Sequence, residues 1–163
     1  MKKSLWLWAL ALALFLPAQA IRAEGGTSGP VDPAYAAEYE QAVSALLAHT
    51  PGAVVDYALR ERDDGRYEWD LFFMLDGQLG ECEVTGEDFK VRAVSLRDLP
   101  EKALLPSEAM ALLAKEKGAV RIVDLELDRD GGRLAYEGEA ELDNKRYEFE
   151  ISASGDRIKW ERD

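Results

Sequence analysis

The feature that most constrains this chain is that its second half repeats its first at a spacing of 67 residues. Asp76 falls on Asp143, Glu81 on Glu148, Glu83 on Glu150, Val84 on Ile151 and Val91 on Ile158, with no gap. The same spacing carries Ala42 onto Ala109, Val43 onto Met110 and Leu46 onto Leu113, positions that lie on one helical face. In the first strand-like run the side chains match at a spacing of 68 instead: Val54 with Ile122, Val55 with Val123, Asp56 with Asp124, Tyr57 with Leu125 and Leu59 with Leu127. A one-residue difference in each flanking turn would account for that. Agreement of helix, turn acid and strand phase marks one supersecondary unit written twice.

Each copy reads as a helix followed by strands. Asp32-Pro33 places a capping side chain before a proline at the first helical position. Tyr39, Ala42, Val43, Leu46 and Leu47 then keep helical spacing until Pro51-Gly52. Strand-like runs follow at 54–59, 67–73, 79–84 and 89–94, divided by Asp63-Asp64-Gly65, Asp76-Gly77 and Gly86-Glu87-Asp88. Asp-Gly at hairpin length supplies the positive φ that tight hairpin turns need. The second copy opens at Pro106-Ser107, carries Ala109, Met110, Leu113 and Ala114, closes at Gly118, and continues with runs at 120–127, 134–142, 147–153 and 157–160. There Leu134, Tyr136, Gly138, Ala140 and Leu142 alternate with Glu137, Glu139 and Glu141, and Tyr147, Phe149 and Ile151 with Glu148 and Glu150. A period of two with one acidic face describes an antiparallel sheet packed on one side and wet on the other, with the helix on the packed side. The expected fold is α+β: two tandem units, 32–99 and 100–163, each one helix followed by an antiparallel sheet of three to four strands. Units of about 65 residues are marginal alone, so the two should share a sheet or pack on each other.

The segment Arg146-Tyr147-Glu148-Phe149-Glu150-Ile151-Ser152-Ala153-Ser154-Gly155-Asp156-Arg157-Ile158 resembles the closing part of a PepSY domain, an aromatic strand with alternating acids, a turn glycine and one more strand. The helix at 107–117 and the hairpin at 134–144 fit that family's order as well. The first copy departs from it, with Gly80-Glu81-Cys82-Glu83-Val84 where the aromatic strand would stand and Asp88 opposite Gly155. The resemblance implies an exported or tethered binding or inhibitory module, of the kind found in some propeptides of secreted metallopeptidases. It transfers no catalytic residue.

Lys2 and Lys3, an apolar run from Leu5 to Leu16, Pro17 and Ala18-Gln19-Ala20 have the order of a secretory signal peptide, 1–20. Cleavage after Ala20 is the first choice and after Ala23 the alternative, followed by a flexible leader over 21–31 rich in glycine. The apolar run is too short to span a bilayer, which takes about twenty residues. The expected location is therefore periplasmic or secreted. Loss of Lys2 and Lys3 takes the net charge from −12 to −14, an acidic balance that excludes a phosphate-tracking nucleic-acid surface.

One Cys and one His supply neither a zinc site nor a nucleophilic triad. His49 sits at a helix end, and Cys82 lies between Glu81 and Glu83, which suppress its thiolate. Cys82 reads as a buried thiol, with an intermolecular disulfide as the alternative in an oxidising compartment. Asp128-Arg129-Asp130-Gly131-Gly132 lacks the length and closing Glu of a calcium loop and reads as a hairpin turn. No cofactor, metal or enzymatic activity is expected. Glu137, Glu139, Glu141, Glu148 and Glu150 would share one sheet face, offered either to a basic patch on an exported partner or simply to water. The chain thus reads as an exported, non-enzymatic protein-binding module that docks stoichiometrically, with a peptidase as one target and inhibition or regulation as the effect. The alternative is an envelope module that binds a small ligand or cation in a cleft between the two units.

Overall fold

The structure, a computed structural model, describes residues 33–63, 65–130 and 132–163. The expected signal peptide and leader, both expected cleavage positions and the expected cap residue Asp32 lie outside the described residues. Helix α1 (Pro33–His49) leads into β1 (Val54–Asp63), β2 (Arg66–Leu75), β3 (Gln78–Thr85) and β4 (Val91–Arg97). Helix α2 (Pro106–Lys117) leads into β5 (Arg121–Asp130), β6 (Arg133–Leu142), β7 (Lys145–Ser152) and β8 (Ile158–Arg162). Each set of strands forms its own antiparallel meander, β1-β2-β3-β4 and β5-β6-β7-β8, so the two units pack on each other and do not share a sheet. The central hairpins turn on two residues with positive φ, Asp76-Gly77 (50° and 84°) and Asp143-Asn144 (53° and 59°), the geometry that follows the twist of paired strands.

The structure keeps one spacing throughout and corrects the shift of 68 inferred for the first strand. Val55 pairs with Phe73 and Tyr57 with Phe72, while Ile122 pairs with Ala140 and Asp124 with Glu139; every pair is displaced by 67. Both strands carry a bulge at the same place, with Asp56 the extra residue in β1 and Val123 in β5. No turn differs in length. The side chains misled because β1 is apolar on both faces. Ala58 lies under α1 in a cluster with Ala42, Leu46, Trp69, Leu71, Phe73, Cys82 and Val84. Tyr57 and Leu59 point the other way and, with Phe72 and Leu79, join the core of the second unit.

That second core is built on α2, whose Ala109, Met110 and Leu113 meet Leu125, Leu127, Tyr136, Ala140, Phe149 and Ile151. It continues without a break into the far face of the first sheet. The wet second face expected of each sheet therefore holds only for the second unit; the first sheet is sandwiched between α1 and the second unit. Each large side chain so buried contributes about 1.5–3 kcal/mol, enough to make two small units stable together.

Equivalent layers are filled by opposite pairs of neighbours. In the first unit Phe73 lies across Gly80, and a Cβ on that glycine would fall inside the ring. In the second, Ala140 lies across Tyr147. Leu71 and Cys82 likewise become Gly138 and Phe149. The bulk thus sits on β2 in one copy and partly on β7 in the other, with the layer filled either way. This exchange explains why the first copy lacks an aromatic third strand while keeping the same architecture.

Candidate functional site

The alternation of β6 and β7 brings the five sequence-nominated carboxylates onto one face. Glu137 pairs with Glu150, Glu139 with Glu148, and Glu141 with Arg146. Helix α2 covers the opposite face of this sheet, and Glu148 is exposed. Like charges directly opposite one another cost a few tenths of a kcal/mol per pair, and basic side chains answer them. Arg146 reaches Glu139 at 3.0 Å, Arg121 reaches Glu141 at 2.6 Å, and Arg157 and Lys159 both contact Glu150. Hydrogen bonding from Arg121 holds Glu141 below the usual carboxylate range, and that from Lys159 does the same for Glu150. The face is therefore a mosaic of acids with interleaved bases, more acidic toward Glu148 and its cross-strand neighbour Glu161.

The equivalent face of the first sheet is covered in part, over Asp70 and Phe72, while Glu83 stays exposed. Strand β5 lies against it, and Arg97 on β4 donates to the Leu127 carbonyl and lies 3.4 Å from Glu81. Three acids meet at this junction: Glu61 on β1, Asp70 on β2 and Asp124 on β5. Ionised together, they would leave Glu61 Oε1 buried with no donor. A proton on Glu61 relieves that repulsion and gives it one O–H to donate to a neighbouring carboxylate. Burial, then the charges of Asp70 and Asp124, push Glu61 up to about 9. Burial also pushes Asp70 up to about 7, with Glu83, Glu81 and Glu68 adding to the rise and the Glu61 bond opposing it. Glu81 is raised by burial, against the pull of Arg97.

A second link crosses the junction at the start of α2. Leu105, the cap residue, gives no side-chain bond, although Glu108 Oε2 accepts from its backbone N–H at 2.8 Å. The missing cap comes from the other unit. Asp56, projected by the β1 bulge, accepts from the Ser107 N–H at 2.9 Å and from Ser107 Oγ at 2.8 Å. Its carboxylate also meets the positive end of the helix.

Residues 103–154, from just before α2 through β7, match the family model described as peptidase propeptide and YPEB domain, PepSY. The chain carries a PepSY domain. The matched stretch includes α2 and both strands that bear the five glutamates; the first unit lies outside it. Two solved structures resemble the chain. One, from Clostridium difficile 630, is described as a candidate lipoprotein, with 16% identity, a TM-score of 0.41, and coverage of 77% of this chain and 92% of its own. The other is the YpeB C-terminal domain of Bacillus megaterium, with 14% identity, a TM-score of 0.35, and coverage of 83% and 68%. No curated protein matches in sequence.

Outside the PepSY domain, Cys82 is fully buried beneath α1, and burial raises its thiol to about 11. An intermolecular disulfide would require the first unit to open. His49 ends α1, exposed, with Nδ1 3.2 Å from Thr50 Oγ1. Among the described residues no cluster of three or more His, Cys, Asp or Glu could hold a metal ion, and no helix is long and apolar enough to cross a membrane. The region between the units, where the alternative reading places a cleft, is filled by Tyr57, Leu59, Phe72, Leu79 and α2. Sequence reasoning missed Asp56, Glu61 and Asp70 because an acid on an alternating strand is ordinarily a solvated one. The unbroken apolar run Leu71-Phe72-Phe73, which marks a strand buried on both faces, was the available signal.

Proposed function

We propose that this is an exported, non-enzymatic binding module whose PepSY domain docks stoichiometrically on another exported protein, a peptidase being the target class, and inhibits or regulates it. The observation that carries this reading is the asymmetry between two equivalent faces. The first sheet spends its second face on the neighbouring unit, whereas the second sheet leaves Glu137, Glu139, Glu141, Glu148 and Glu150 facing outward. The family's description as a peptidase propeptide domain supports the target class. The signal-peptide pattern at 1–20, with cleavage after Ala20 or Ala23, supports a periplasmic or secreted location for units at 32–99 and 100–163. The acid–base mosaic suits a surface with a basic centre: a partner's Lys or Arg would displace Arg146 or Lys159 from acids those residues already neutralise, giving specificity more than raw affinity.

The test is capture of an exported metallopeptidase with a basic surface by wild-type protein and by the double reversal Glu139→Lys, Glu148→Lys at low salt. Binding should fall about tenfold or more, chiefly through a slower association rate. Equal capture by both proteins contradicts the proposal. A thermal shift with calcium or a small ligand, which tight binding would raise by mass action, would favour the cleft-binding reading instead.

A further inference from the structure

The junction between the units gathers more charge than a static packing surface needs. Its first-sheet side presents Glu61 from β1, Asp70 and Glu68 from β2, Glu81 and Glu83 from β3, and Arg97 from β4. Its second-unit side presents Asp124 and Glu126 from β5. Two guanidiniums answer these seven acids: Arg97, and Arg92 on β4, which lies 2.5 Å from Glu68 and is occupied by it. Arg97 is already occupied by Glu81 and the Leu127 carbonyl, so Glu61, Asp70 and Asp124 must satisfy one another. Three carboxylates can do this only by holding a proton between them, since a carboxylate accepts hydrogen bonds and cannot donate one. Glu61 Oε1 is buried with no donor beside it. A proton shared in this way removes the mutual repulsion of β1 and β2 of one unit and β5 of the next.

We propose that this cluster is a proton-operated latch, closed in mildly acidic surroundings and loosened in alkaline ones, which sets how firmly the two units are held together. The sign follows from the direction of the shifts. Glu61 and Asp70 take up protons more readily folded than unfolded, so their contribution is full below the ordinary carboxylate range and is lost as pH rises through the neutral and weakly alkaline region. Loosening would affect β5 and the connector between β4 and α2 first. The interior of the first unit, held by α1, is unaffected. The latch is independent of any partner at the outer face, so the two proposals stand or fall separately.

The test compares amide exchange of the whole protein at about pH 5.5 and about pH 8.5, corrected for intrinsic rates, in wild type and in Glu61→Gln. A carboxamide keeps the shape of the protonated acid and donates to Asp70 and Asp124 at either pH. Protection of β5 and of residues 98–105, taken relative to β2, should fall about tenfold with rising pH in wild type and less than about twofold in E61Q. Glu148→Gln, which removes an exposed acid from the outer face, should keep the wild-type response. Should E61Q fail to fold, Asp70→Asn is expected to show the same flattening. The proposal is overturned if wild type shows no pH-dependent loss in these segments, or if the carboxamide variant shows the same loss as wild type.

Discussion

Asp56→Ala removes a single side chain from the first unit, yet its main effect should fall on the start of a helix in the second. The carboxylate accepts the Ser107 N–H at 2.9 Å and its hydroxyl at 2.8 Å, and nothing else caps α2 from a side chain at Leu105. Losing an N-cap acceptor costs about 0.5–2 kcal/mol, and losing a negative charge near a helix N-terminus costs about 0.3–1 kcal/mol more. The expected destabilisation is about 1.5–2.5 kcal/mol, or a fall in Tm of roughly 3–8 °C for a chain of this size. Ser107→Ala keeps the backbone bond and should lose about 0.5–1 kcal/mol. Urea titrations followed by far-UV circular dichroism on both single variants and the double variant complete a thermodynamic cycle. The coupling between Asp56 and Ser107 should be about 0.5–1 kcal/mol. Additive losses, or an Asp56→Ala protein within about 0.3 kcal/mol of wild type, would refute the claim that one unit caps the other's helix.

Two further outcomes follow from the packing. Gly80→Ala forces Phe73 from its place and should cost about 1–3 kcal/mol; the pair Gly80→Tyr with Phe73→Ala, which copies Tyr147 and Ala140 of the second unit, should be more stable than Gly80→Tyr alone in thermal melts. Cys82 should resist a thiol reagent in the native protein and react fully in denaturant, since burial both shields it and raises its thiol; rapid native labelling would contradict the placement.

Much of the fold could be read from residue order, because a helix, three turns and strand phase all repeat at one spacing and local chemistry sets each of them. Asp-Gly and Asp-Asn took the positive φ that hairpins demand, and the acids of β6 and β7 alternated as a half-wet sheet requires. The reading failed where one strand serves two cores. Tyr57 and Leu59 looked like the counterparts of Leu125 and Leu127, but they face the neighbouring unit, and only the shared bulge reveals the true spacing. Asp56 and Glu61 were illegible for the same reason. Their partners lie 51 and 63 residues further along the chain, and no local pattern foretells a contact made by docking. The outer acidic face was legible as a face, but its interleaving by Arg121, Arg146, Arg157 and Lys159 depends on strand register.

The central claim is that two like units use equivalent faces differently, the first covering Asp70 against the second unit and the second presenting Glu139 and Glu148. Carbodiimide labelling of carboxyl groups, read residue by residue, measures this directly. Glu139 and Glu148 should label at least about tenfold faster than Asp70, and unfolding in urea should erase the difference. Equal rates in the native protein would mean that the first sheet is as open as the second, and the account of the junction would be wrong.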